Sequence, residues 1–236
     1  MKKVLILSGS PRRGGNSDTL CDEFMKGAIE SGNEVEKIFV ADKNIGYCKG
    51  CYACKDTGIC AIKDNMAEVL QKMLEANVIV LSSPVYFYSI SAQLKAVIDR
   101  TVARWLEFRD KEFYYIMTAA EDEKHTMDCA LECFRGLAAC LEGSKEMGVI
   151  YAKGVYERGE INGTKFITEA YEMGKGALDD MILKASNWIT LAAVALAVAG
   201  CVRFCNSEFM QIDSCLDHGG CWDYEAKVCI DPPPRG

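Results

Sequence analysis

Four thiols fall within thirteen residues: Cys48, Cys51, Cys54 and Cys60, with two, two and five residues between them. Three on one tight loop and a fourth shortly after can reach the corners of an iron–sulfur cubane, and four-cysteine clusters commonly use such runs. Convergence on one zinc ion is poorly served, because zinc sites usually separate two pairs by a dozen or more residues. Three readings stand on spacing alone: a [4Fe-4S] cluster, free or redox-active thiols, and zinc. So polar a loop argues against buried structural thiols.

A second pattern is Ser8-Gly9-Ser10-Pro11-Arg12-Arg13-Gly14-Gly15-Asn16-Ser17, between an apolar run and a helical pattern. Glycines let such a loop turn its amides inward, and the helix N-terminus adds partial positive charge, which together cradle a phosphate. Asn16 or Ser17 is the expected N-cap, with Arg12 as a cation at the rim. Gly15-Asn16 stand where a triphosphatase loop carries Lys-Ser/Thr, and the dinucleotide fingerprint is absent. A phosphate monoester such as that of FMN fits better. Further on, Ser82-Ser83-Pro84-Val85-Tyr86-Phe87-Tyr88-Ser89 can wall one side of a flat ring, the bland alternative being an aromatic core plug.

Alternating strand and helix patterns must position these loops. Strands are expected at Val4–Leu7, Val35–Val40, Val78–Leu81, Phe113–Thr118 and Val149–Ala152, and helices at 16–31, 64–76, 90–108, 126–142 and 166–184. Such a series implies an α/β fold: a doubly wound, five-stranded parallel sheet with helices on both faces. Right-handed crossovers bring the strand ends, and the loops after them, to one edge. Asp99 and Arg100 are adjacent and point apart, which suggests separate surface or interface pairs. Cys129, Cys133 and Cys140 recur on one helical face, and core packing is the expectation for them and for Cys21. His125 and His218 are not expected to be catalytic.

The segments GSPRRGGNS, SPVYFYSISAQLKAVIDR, Tyr151-Ala152-Lys153-Gly154-Val155 and Glu169-Ala170-Tyr171-Glu172-Met173-Gly174-Lys175 resemble the flavodoxin-like NAD(P)H-dependent FMN reductases. The cysteine run resembles the iron–sulfur flavoproteins within that group. The resemblance covers about residues 1–178 and implies a sheet ordered 2-1-3-4-5. It implies FMN as cofactor, held by Ser8, Ser10, Pro11, Arg12, Asn16 and Ser17 at the phosphate. Pro84, Val85, Tyr86 and Phe87 would lie against the ring, and Thr118 and Ala119 at its other edge. It further implies NAD(P)H as donor, a [4Fe-4S] cluster on Cys48, Cys51, Cys54 and Cys60, and a homodimer or homotetramer. Electrons would pass to a redox partner protein or a small-molecule acceptor; the alternatives are a cluster-free NAD(P)H-dependent reductase of FMN or quinones and a flavin or thiol redox-sensing module.

The sequence divides into a flavodoxin-like domain, 1–184, and an extension, 185–236. Residues 185–202 carry no charge, at the lower limit for a membrane span. A buried or dimer-forming helix is the first expectation, a tail anchor the second. The tail beyond carries Cys205, Cys215, Cys221 and Cys229, which could form a disulfide knot or a metal clip. A net charge of −7 argues against nucleic acid. Thirteen cysteines, with an N-terminus that does not read as a signal peptide, place the chain in the reducing cytoplasm. The alternative is a membrane-anchored protein with a cytoplasmic flavin domain.

Overall fold

A strand that is apolar at every position needs cover on both faces, and this sheet receives it. The computed structural model describes residues 1–177, 221–223 and 228–230. The chain divides into two units after Asp179, where the sequence suggested a boundary after 184. In the first unit, β1 (Lys3–Ser8), β2 (Glu34–Phe39), β3 (Val78–Pro84), β4 (Glu112–Thr118) and β5 (Lys145–Ala152) form one parallel sheet. Its order is β2-β1-β3-β4-β5, as the resemblance implied. Helices α1 (Asn16–Glu30), α2 (Met66–Glu75), α3 (Ala92–Arg100), α4 (Asp128–Ala139) and α5 (Lys165–Lys175) connect or follow the strands.

Strand periodicity sorts the core into two layers. Leu5, Leu7, Ile79, Leu81, Phe113, Tyr115 and Met117 face α2, α3 and α4, while Val4, Ile6, Val78, Val80, Tyr114, Ile116 and Ile150 face α1 and α5. Each fully buried Leu, Ile or Phe contributes about 1.5–3 kcal/mol. Phe24 of α1 meets Tyr114 edge-on at 5.2 Å, the geometry aromatic quadrupoles favour. α1 and α5 approach closely because Gly27 and Gly174 face each other's helix: a Cβ on either would overlap a backbone carbonyl, that of Tyr171 or Phe24.

The expected helix over 90–108 is broken. α3 stops at Arg100, and short 3-10 turns, Thr101–Ala103 and Trp105–Glu107, complete the segment. α4 is also shorter than expected, following a 3-10 turn at Lys124–Met127. Its buried stripe is Ala130, Leu131, Phe134 and Leu137. Cys129 and Cys140 are therefore exposed and are not core residues, whereas half-buried Cys133 packs against the core and Cys21 is fully buried.

In the second unit, β6 (Cys221–Asp223) and β7 (Val228–Ile230) pair antiparallel, Trp222 opposite Cys229. The segment 185–202, Cys205, Cys215 and His218 lie outside the described residues. Among the described residues no helix is long and apolar enough to cross a membrane.

Candidate functional site: a switch-point cavity and a cysteine loop

The strand order reverses between β1 and β3, where the connections leave a crevice beyond the carboxyl ends. Both loops there are fixed. The Gly9 amide donates to the Ser82 carbonyl at 2.8 Å. The Ser91 hydroxyl donates to the Gly9 carbonyl at 2.7 Å and accepts the Leu94 amide at the start of α3. The Ser10 hydroxyl accepts from the Arg12 amide at 3.1 Å, turning the chain back on itself.

The N-cap of α1 is Gly15, with no side-chain cap, rather than Asn16 or Ser17. Asn16 is drawn elsewhere: its amide donates to the Glu157 carbonyl at 2.9 Å and accepts from the Gly159 and Ile161 amides. The first-turn amides of α1 are thus left for another acceptor, and the helix dipole favours an anion there.

Two residues that sequence reasoning passed over complete this loop. Asp18 is buried, and its carboxylate accepts from the Gly14 amide at 2.8 Å, the Ser8 hydroxyl at 3.0 Å and Lys37 at 3.0 Å. Burial alone would push its pKa up, but those donors outweigh it and hold the carboxyl below the ordinary value. Arg158 donates from Nε to the Gly14 carbonyl at 3.1 Å, so a second guanidinium joins Arg12 beside the loop. The motif-like spacing of residues 8–17 carried no signal for a partner some 140 positions away.

Beyond β3 the chain makes a two-residue hairpin, with Tyr86 and Ser89 exchanging backbone hydrogen bonds at 2.8 and 3.0 Å. Its central residues, Phe87 (φ 48°) and Tyr88 (φ 62°), are left-handed. Such turns favour Asn-Gly, and bulky residues held there cost about 1–3 kcal/mol each. Phe87 is fully exposed and Tyr88 largely so; the aromatic run is not a core plug.

These loops, the end of β4 and the segment after β5 line a cavity of about 130 Å³. Of the residues expected there, Ser10, Arg12, Asn16, Ser17, Pro84, Val85, Tyr86, Thr118 and Ala119 line it. Ser8, Pro11 and Phe87 do not: Ser8 is bound to Asp18, and Phe87 points into solvent. Val155, Tyr156 and Arg158 form the remaining wall. His125 is exposed, with its Nδ1 3.9 Å from the exposed Glu123 carboxylate.

Because every strand of this sheet is parallel, the cysteine loop after β2 leaves from the same edge. Cys48, Cys54 and Cys60 are half-buried and Cys51 exposed, all as free thiols. The chain bends sharply around them, with Gly50, Tyr52 and Gly58 left-handed. A cavity of about 590 Å³ lies behind Cys60, walled in part by Asp64 and Arg100. Among the described residues no three His, Cys, Asp or Glu side chains gather as a metal site. The donor set is nevertheless all thiol on a loop held at its base, and a guanidinium nitrogen with no partner, Arg100 Nε, is buried beside it. Those features suit an anionic thiolate cluster. Arg100 is 2% exposed and Asp64 is its partner, so Arg100 is not the surface or interface residue expected; Asp99 does make a surface pair, with Lys95.

The family model for NADPH-dependent FMN reductases matches residues 2–140. An iron–sulfur flavoprotein of Methanocaldococcus jannaschii is 48% identical over 99 residues, covering 42% of this chain and 51% of that relative. Another, from Archaeoglobus fulgidus, is 43% identical over 100 residues, covering 42% and 45%. The chain spans about half the length of these curated relatives. Among solved structures, an azoreductase from Bacillus anthracis superposes with a TM-score of 0.58 at 16% identity, covering 75% of this chain and 98% of that one; this likeness speaks to the fold.

Proposed function

This chain belongs to the NADPH-dependent FMN reductase family, and from that premise we propose that it is an oxidoreductase taking electrons from NAD(P)H through FMN and releasing them singly by way of a [4Fe-4S] cluster. The observation that carries the flavin half is the switch-point cavity with its uncapped helix start. The cluster half is supported by the all-thiol loop at the same sheet edge and by the names of the similar relatives.

When bound, FMN supplies two-electron hydride chemistry and the cluster one-electron chemistry. The chain's own residues bind and orient. The phosphate is neutralised by Arg12, Arg158 and the first-turn amides of α1, with Ser10 and Ser17 as hydroxyl donors. Asp18 keeps its charge away from that phosphate by spending it on Gly14, Ser8 and Lys37. Val85, whose amide is fixed to the Thr118 carbonyl at 2.8 Å, and Tyr86 form one wall for the ring, with Thr118 and Ala119 at its other edge. Cys48, Cys51, Cys54 and Cys60 hold the cluster. Exposed Tyr47, Tyr52 and Ile59 on that loop suit an interface in a homodimer or homotetramer, or with a redox partner protein, in the cytoplasm.

The protein purified without oxygen is expected to show flavin absorption with iron and acid-labile sulfide in equal amounts, and to oxidise NAD(P)H with a quinone. Absence of bound flavin would overturn the whole reading. The ungathered thiols favour one rival, a cluster-free NAD(P)H-dependent reductase of FMN or quinones; iron-free protein with full turnover would establish it.

A further inference from the structure

α3 ends at the most deeply buried cation among the described residues. The Arg100 guanidinium donates from Nη1 to the Gly46 carbonyl at 2.8 Å and to Asp64 Oδ2 at 2.9 Å. Its Nη2 donates to Asp64 Oδ1 at 3.1 Å and to the Ile62 carbonyl at 3.4 Å. Asp64 in turn accepts the Gly46 and Met66 amides at 2.9 and 3.0 Å. Gly46 lies just before Cys48, and Ile62 and Asp64 just after Cys60. One planar fork therefore closes both ends of the cysteine segment, a geometry that suits arginine rather than lysine.

The fork is not fully used. Nε is buried with no hydrogen-bond partner, and Cys60 and Arg100 wall the same cavity. A buried charged donor left unpaired costs more than a neutral one. A neutral thiol is a weak acceptor, whereas a ligand thiolate is a strong, charged one.

We propose that Arg100 is a positioning residue of the cysteine site: it clamps the neck of the loop through Gly46, Ile62 and Asp64, and donates Nε–H to the Cys60 sulfur once that sulfur is a cluster ligand. This rests on the cluster reading given above. Such a donor stabilises the more negative, reduced cluster and raises its reduction potential. It also presents Cys60 at a fixed place when iron arrives.

The test uses the full-length protein, loaded with ferrous iron and sulfide without oxygen, as wild type, Arg100→Lys and Arg100→Gln. Lysine keeps the charge opposite Asp64 and so protects the fold; retained FMN content verifies it for both variants. Iron affinity, by chelator competition, should fall about 10- to 100-fold in Arg100→Lys, with a more negative cluster midpoint potential and altered electron paramagnetic resonance. In the iron-free protein, the Gly46 and Met66 amides should exchange with solvent faster in Arg100→Lys than in wild type. Wild-type iron affinity and potential in Arg100→Lys would overturn the inference. Wild-type protein that takes up no iron would overturn the cluster reading itself. Unchanged amide exchange would overturn the clamp separately, so the two failures are told apart.

Discussion

The two loops that meet the carboxyl edge of this sheet are built on different principles. The phosphate loop is fastened along its length: Gly9 to Ser82 and Ser91, Gly14 to Asp18 and Arg158, Gly15 to Arg12. The cysteine loop is fastened at its neck, by Arg100, Asp64 and the Asn44–Asn65 pair. Between Tyr47 and Ala61 its hydrogen bonds are local, as from Gly58 to Cys54 and Lys55 to Tyr52. The fold fixes the first loop by itself; the second is the kind of arrangement that a bound ligand can complete, as at many metal sites.

That contrast can be broken by experiment. The largest effect is expected from Cys54→Ser: loss of iron and sulfide with FMN content unchanged, measured by metal and flavin analysis. Loss of both cofactors together would mean the loops are not independent. Next is Asp18→Asn, which should cost about 1–3 kcal/mol of stability and weaken FMN binding, read by denaturant unfolding and flavin titration, with iron content unaffected. The pH dependence has a definite sign. The folded carboxyl of Asp18 sits below its ordinary value of 3.8. Its stabilisation is therefore complete well above pH 3.8 and drains away as pH falls through the lower folded value; Asp18→Asn should flatten that acid limb of the stability curve.

A smaller and opposite effect is expected in the hairpin. Replacing Phe87-Tyr88 by Asn-Gly should raise the melting temperature, because left-handed φ is then unstrained, while weakening turnover if the aromatic tip serves the ring or a substrate. An unchanged melting temperature would show that the surroundings already absorb the strain. The smallest change is assigned to Arg158→Ala: FMN binding weaker by several-fold and less dependent on salt, by titration at two ionic strengths. No change at either would remove Arg158 from the phosphate site.

Much of this was legible from local pattern. Continuous apolar runs such as Val78–Leu81 can only be strands covered on both faces, and their alternation with helices leads to the observed sheet. The phosphate loop was legible because its chemistry is contiguous. Asp18, Arg158 and Arg100 were misread or missed because what defines them is a distant partner: Lys37, the Gly14 carbonyl, and Asp64 respectively. Cys129 and Cys140 show the complementary error. Their spacing does place them on a face of α4, but periodicity cannot say which face meets the sheet when Ala130, Leu131, Phe134 and Leu137 form a competing stripe. The end of α3 at Arg100 left no local mark, since Thr101–Glu107 carries neither glycine nor proline.

α3 begins where Ser91 holds the phosphate loop and ends where Arg100 holds the cysteines. At 1.5 Å per residue, its nine residues span about 13 Å, so the helix works as a ruler between its holds on the two loops. One inserted residue would lengthen that gauge by about 1.5 Å and swing the guanidinium through about 100°, away from the loop it grips. The separation of the two loops' anchors is thus written in the residue count of a single helix.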